Sequence, residues 1–348
     1  MTITFLDFFS KLSNGPFLII IILISLTIFM NGSSDAPNSI ATCVSTRSLR
    51  PKKALILCGF CNLLGIFVMS FITTKVAETV SNIAYFGDGS SSGIIALCAG
   101  LLAVVIWAFI TWKFAIPSSQ SHALIAGITG ASIALNRSFS AVNIEQWKKI
   151  LFGLVFINLL AFILGLLITK IIEMVCKNLD RRRTNNFFKY TQIISAASMS
   201  FVDGAQEGQK FIGVILLAES LTLGTSNTNV SIPIWLMIYV SMFLALGTFV
   251  GGYRIIKTVG TKVSKLERYQ GTASDLASAT GLLVSTILGI PVSSTHSKNC
   301  AIVGVGASKR ISNVNWGVVK NMFKAWILTF PGCGLLGFSA ASIFLKIF

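Results

Sequence analysis

The chain has 348 residues, 53% of them hydrophobic and only 11% charged, with a mean hydropathy of +0.78. That composition excludes an ordinary soluble domain and points to a membrane protein. A formal net charge of +16 raises the question of a nucleic-acid partner, which the distribution of that charge excludes, because the basic residues gather beside apolar runs.

In chain order, apolar runs fall at 17–31, 54–75, 92–115, 150–174, 232–256, 276–290 and 315–347, each on the scale of the roughly 20 residues that a spanning helix needs. Their length predicts helices rather than the short alternating strands of a barrel. The first run could be a signal peptide, but no small-residue cleavage site follows, and "NGSSDAPNS" reads better as a break within the membrane. Basic clusters lie at Arg47, Arg50, Lys52 and Lys53; at Lys177, Arg181, Arg182, Arg183 and Lys189; at Arg254, Lys257, Lys262, Lys265 and Arg268; and at Lys309, Arg310, Lys320 and Lys324. They mark the inner side of the membrane. "AETVSNIAYFGDGSSSG" (77–93) and "SLTLGTSNTNVSIP" (220–233) contain no Lys or Arg and read as outer loops. Loop 137–149, with Arg137, Lys148 and Lys149, breaks the rule. Seven cysteines scattered through apolar segments read as small apolar fillers, not as a disulfide framework or metal set.

Two pairs of motifs recur in the same order. "FMNGSSDAPNSIA" (29–41) and "SFVDGAQEGQKFI" (200–212) share a glycine, small or amide residues, an acid, and a polar residue three positions on. "IPSSQSHALIAGITG" (116–130) and "IPVSSTHSKNCAIVG" (290–304) align Ser119 with Ser293, Ser121 with Thr295, and His122 with His296. Asp35 stands 87 residues before His122, and Glu207 stands 89 before His296. Relative to the basic clusters, the halves run through the membrane in opposite senses, as in the inverted-topology repeats of secondary transporters. The expected organisation is a first repeat over 1–175, a basic cytoplasmic linker over 176–190 and a second repeat over 191–348, all-α, with broken helices, re-entrant hairpins and about 10–12 membrane segments.

An ionisable residue within a span costs several kcal/mol unless it meets a cavity, a partner or an ion. Asp35, between Gly32 and Pro37, and Glu207, between Gly204 and Gly208, each read as sitting in a helix break that exposes backbone to a site. The alternative is a solvated acid in an extramembrane loop. In the second motif pair, a proline ends one helix and hydroxyls open the next, where free N–H groups favour an anion. Ser119, Gln120 and Ser121, with Ser293, Ser294 and Thr295, could thus surround a tetrahedral oxyanion, or simply cap their helices. His122 and His296 read as site-adjacent. No P-loop, nucleophile elbow, HExxH or cysteine metal set is present, so the chain reads as no enzyme, with its driving energy taken from an ion gradient.

These residues resemble the inorganic phosphate transporter (PiT) family, whose paired signature is Gly-Ala-Asn-Asp followed by Asn or Gln-Lys, and whose hairpins carry Pro-x-Ser-x-Thr-His. "STRSLRPKKALILCGFCNLLG" (45–65) and "VNWGVVKNMFKAWILTFPGCGLL" (314–336) are also similar, so the resemblance covers nearly the whole chain. Gly32, Asp35 and Asn38 match the first signature, with Ser33 and Ser34 replacing its Ala-Asn. Gly204, Ala205, Gln209 and Lys210 match the second, while Gln206 stands for Asn, Glu207 for Asp and Asp203 for a frequent His. The resemblance implies coupling cations, sodium or protons, at Asp35 and Glu207 with Asn38 and Gln209 beside them. It also implies phosphate at the hairpin residues, with Gln206 and Lys210. Lys210 could instead pair with Glu207 one turn away. Asp275 matches an acidic stretch of the family and could line the path or be a solvated helix-start acid.

The expected function is import of inorganic phosphate by cation symport in the cell membrane, with no cofactor beyond the coupling ion. Its partners would be phosphate and the lipid bilayer, with a homodimer allowed and no nucleic acid. A sulfate or other oxyanion permease, a passive anion channel and a phosphate sensor are the alternatives. Retained carboxylates favour phosphate, because monohydrogen phosphate can donate a hydrogen bond to a carboxylate and sulfate cannot at neutral pH.

Overall fold

A computed structural model describes residues 8, 15–87, 91–114, 118–223, 232–262 and 266–347, without the side chains of Arg181, Leu223 and 254–262. Pro117, Lys265 and parts of both anticipated outer loops (88–90 and 224–231) lie outside the described residues, as do the side chains of Arg254, Lys257 and Lys262. The described residues are overwhelmingly helical, with no β-strand. Helices α1 (Gly15–Ser34) and α2 (Asn38–Ser45) are separated by a turn at Asp35, Ala36 and Pro37. There follow α3 (Pro51–Ile72), α4 (Lys75–Ser81), α5 (Ser91–Lys113), α6 (Gln120–Asn136), α7 (Ile144–Cys176) and α8 (Arg181–Leu223). The series ends with α9 (Ile234–Lys262), α10 (Arg268–Leu288), α11 (Ser294–Lys309) and α12 (Trp316–Ile347).

Local chemistry sets several boundaries. Pro51 opens α3 at a position whose N–H would be unpaired anyway. Glu267 and Gln270 form a reciprocal capping box at the start of α10, and Gly289 closes that helix in the left-handed conformation, φ 71°. Among the described residues, six helices are long and apolar enough to cross a bilayer: Gly15–Ser45 taken through its turn, α3, α5, α7, Ile234–Tyr253 and α12. The run anticipated at 276–290 is not among them. It lies in α10, which is studded with buried Ser and Thr and carries Asp275. Only 28% of the apolar window of α7 and 22% of that of α12 is buried, so most of both helices faces outward as lipid-facing surface.

The shorter helices α6 and α11 are buried on nearly every side. At 17 and 16 residues they reach about 25 Å, short of the roughly 30 Å hydrocarbon core. They can be polar because other helices, not lipid, surround them. α6 returns against α5 and packs on α12, while α11 returns against α10 and packs on α7. The far end of α6 is held by Ser132 and Asn136, which donate to the Tyr85 carbonyl at 2.5 and 2.9 Å. Tyr85 N–H in turn donates to Ala141 O at 2.8 Å, so loop 137–149, with Arg137, Lys148 and Lys149, lies beside the loop anticipated as outer. The far end of α11 is held by the Lys309–Glu267 pair at 3.3 Å, next to the basic residues Arg268 and Arg310.

The helix contacts come in matching sets. α3 packs on α8 as α9 packs on α1 and α2; α12 packs on α5 and α6 as α7 packs on α10 and α11. The close approaches match too. A Cβ on Gly65 would strike the Phe201 carbonyl, and one on Gly247 the Phe29 carbonyl. Gly130 faces the Gly334 carbonyl as Gly304 faces the Phe162 carbonyl.

Glycine is required at these contacts because the neighbour is backbone and cannot yield. Gly65→Val and Gly247→Val are each expected to destabilise the protein by about 1–3 kcal/mol or more, read as a lowered midpoint of thermal unfolding in detergent. Gly59→Ala, where a Cβ would meet only side-chain atoms at 3.7 Å or beyond, should not lower the midpoint, because alanine is favoured over glycine within a helix by up to about 1 kcal/mol.

Candidate substrate and ion site

The tips of the two hairpins meet inside the protein. Ser119 Oγ accepts the His122 N–H at 3.2 Å, and Ser293 Oγ accepts the His296 N–H at 3.4 Å. Each serine thus caps its helix and leaves the next two residues, Gln120 and Ser121 or Ser294 and Thr295, in the electropositive first turn. The two imidazole rings touch edge-on with centroids 4.7 Å apart. Behind them, α12 lays Phe330 against His122 at 4.6 Å and Trp326 against His296 at 3.8 Å. The histidine side chains thus pack against aromatic rings, and no ring nitrogen of either has a hydrogen-bond partner.

On the other side of the tips lie the acids. The turn between α1 and α2 touches both hairpins: Asp35 Oδ2 accepts the Gln120 N–H at 3.4 Å, and Asn38 donates to Thr295 Oγ1 at 2.8 Å. Glu207, in the middle of α8, accepts from Asn31 at 3.1 Å, from Ser121 Oγ at 3.2 Å to each oxygen, and from Lys210 Nζ at 2.8 Å. Lys210 Nζ also donates to Ser121 Oγ at 2.7 Å and to Val292 O at 2.5 Å. Asp203, one turn before Glu207, lies in the field of Glu207, Asp35 and Lys210; it faces Ser294 without a hydrogen bond of ordinary geometry, and neither of its oxygens is paired. Three carboxylates and one ammonium, all at most 2% exposed, share this chamber.

Hydroxyls and amides on two helix N-termini and a lysine are donors of the kind an anion takes, and the carboxylates beside them are acceptors of the kind a cation takes. The sequence model of the Phosphate transporter family matches residues 31–337. The chain belongs to the phosphate transporter family. It is 38% identical to a protein of Bacillus subtilis (strain 168) over 92% of this chain and 94% of that one, and 36% identical to one of Rhizobium meliloti (strain 1021) over the same shares. Both are described as a "probable low-affinity inorganic phosphate transporter". A solved structure described as "the sodium-dependent phosphate transporter" superposes with a TM-score of 0.86 at 22% identity, over 96% of this chain and 99% of that one, and so shares its fold.

In this member of the phosphate transporter family, most of the residues anticipated from the motifs converge, but three do not. Gln206 donates to Ile290 O at 2.8 Å and to Ser285 Oγ at 3.1 Å, bracing the bend before α11. Gln209 donates to Thr73 O at 2.8 Å, holding the α3–α4 junction. Asp275 is neither solvated nor at the start of its helix; it lies fully buried within α10, paired with Lys298. The anticipated break at 203–208 is also absent, because α8 runs unbroken over 43 residues. Gly204 and Gly208 serve close packing, with the Asn62 backbone and the Ile66 side chain occupying the space a Cβ would need. Asn31 and Lys298 are functional candidates that the motif reading omits. Asn31 lies one helical turn before Asp35, and Lys298 is a lone charge just beyond the second hydroxyl turn.

The Glu207–Lys210 pair is buried on both sides, so removing one partner strands the other. Lys210→Met should destabilise the protein by about 3–5 kcal/mol, and adding Glu207→Gln should recover much of that loss. Thermal unfolding of the two variants against the parent checks both.

Proposed function

We propose that this transporter imports inorganic phosphate together with sodium ions or protons, by alternating access around the chamber. One observation carries the reading: the groups best placed to hold an anion, Ser121 Oγ and Lys210 Nζ, are both bonded to Glu207. An anion that takes those donors displaces them from a buried carboxylate, whose charge then needs a cation or a proton. Binding of anion and cation is coupled because they compete for, and complete, the same groups.

In this reading the Gln120 N–H, Ser121, Ser294, Thr295 and Lys210 hold phosphate, while Asp35, Asn38, Asn31, Glu207 and Asp203 hold the cation. Acids and amides are hard oxygen donors suited to sodium, and the sodium-dependent transporter of the same fold favours sodium over protons. The carboxylates favour monohydrogen phosphate over sulfate, since they can accept its remaining proton. The matching helix contacts and glycine approaches support a reading as two inverted copies. Rocking of one hairpin assembly against the other would then open the buried chamber to each side in turn.

Uptake of labelled phosphate into proteoliposomes, with sodium and proton gradients imposed separately, tests the coupling. Accumulation driven by one of them and inhibited by arsenate but not by sulfate is expected; accumulation under neither would overturn it. Ser121→Ala should raise the apparent Km for phosphate roughly ten- to hundredfold, the equivalent of a hydrogen bond to a charged group at about 1.5–3 kcal/mol. An unchanged Km would remove Ser121 from the anion site.

A further inference from the structure

A second buried charge cluster lies apart from the chamber, and the transport reading leaves it unused. Asp275 sits seven residues into α10, roughly 10 Å from that helix's N-terminal end at about 1.5 Å per residue. It forms an ion pair with Lys298 of α11, and both side chains are wholly buried. Asp275 also accepts from Thr42 Oγ1 at 2.6 Å, Gln192 Nε2 at 2.8 Å and Ser195 Oγ at 3.3 Å. Lys298 Nζ donates in addition to Thr42 Oγ1 at 3.2 Å and to the Ser39 carbonyl at 3.5 Å.

The ammonium is therefore enclosed by a carboxylate, a hydroxyl and a backbone carbonyl. These are hard oxygen donors, the set that a free monovalent cation takes in membrane sites. Gln192 Oε1, on the amide whose nitrogen holds Asp275, is buried with no partner and offers a further oxygen close by. The shell joins the short helix α2 after the Asp35 turn to α8, α10 and α11.

We propose that Lys298 is a tethered cation, filling a position whose oxygen shell would otherwise bind a monovalent ion from solution. The protein then carries its own positive charge there and needs no free ion to hold α2, α8 and the second hairpin together. Removing the side chain empties the shell while keeping the carboxylate, so the ion requirement should reappear. The inference concerns ion binding and is independent of which anion is carried.

The full-length protein, purified in detergent, is unfolded thermally in sodium, potassium or choline chloride at equal ionic strength. The parent is compared with Lys298→Ala and with Lys298→Ala/Asp275→Asn. Lys298→Ala should gain a rise in midpoint with sodium or potassium, on the order of 2 °C or more beyond any rise in the parent, and Asp275→Asn should abolish that gain. A response to both ions no larger than the parent's, or a gain that survives Asp275→Asn, overturns the proposal. If Lys298→Ala fails to fold in every salt while the double variant folds, the pair is a structural salt bridge alone and the proposal is likewise overturned.

Discussion

The ammonium of Lys210 is the interaction on which the chamber depends. A lysine has three donors, and here each finds an acceptor: a carboxylate on its own helix, a hydroxyl on the first hairpin and a carbonyl at the second. A charge so deep in a membrane protein persists only when its bonds are complete. Completing them draws α8, α6 and the turn before α11 to one point. Asp35 and Asn38 add the α1–α2 turn, one bonding each hairpin. The chamber is thus defined by elements from distant parts of the chain and closed by bonds that an entering ligand would have to exchange, not merely add to.

Packing explains why such a polar centre is tolerated. α6 and α11 would be unstable facing lipid, since their first turns carry hydroxyls and unpaired N–H groups. They are enclosed instead by α5 with α12 and by α10 with α7, whose outer faces are apolar. Close enclosure requires small residues where backbones meet, as in membrane helix packing generally. Gly65 and Gly247 meet the Phe201 and Phe29 carbonyls, near the acids on α8 and in the turn that follows α1. The same feature that lets the walls approach therefore fixes the distance between the two halves of the site.

How far the chain can be read without coordinates follows from what each signal means physically. Apolar length is unambiguous, and α1, α3, α5, α7, α9 and α12 fall on the anticipated runs. Hydroxyl turns after a proline are also legible, because capping is local, and Ser119 and Ser293 both act as caps. Glycine beside an acid is not legible. At Gly32 a proline follows and the helix does break, whereas at Gly204 and Gly208 the same letters mark a helix pressed against α3. Gln206 and Gln209 are engaged elsewhere for different reasons: on a continuous α8, residue 209 projects to another side from Glu207 and Lys210, whereas Gln206 shares the face of Lys210, one turn on, but turns its amide to the Ile290 carbonyl. Lys298 and Asp275 are 23 positions apart, and only the fold of the second hairpin brings them together.

The two buried charge centres differ in a way that divides their labour. Asp275 and Lys298 balance, and the carboxylate is further satisfied by Thr42, Gln192 and Ser195. Nothing there invites exchange with a diffusing anion. Among the described residues, Lys210 is the cation that Asp35, Asp203 and Glu207 face in the chamber, and neither oxygen of Asp203 has a hydrogen-bond partner. Unbalanced carboxylate in a low-dielectric interior is a standing demand for positive charge. In the proposed transport reading, an incoming oxyanion would enlarge that demand while offering acceptors for Ser121 and Lys210. On that reading the chamber, and not the balanced Asp275–Lys298 pair, would be the place where an anion and its counter-charges enter together.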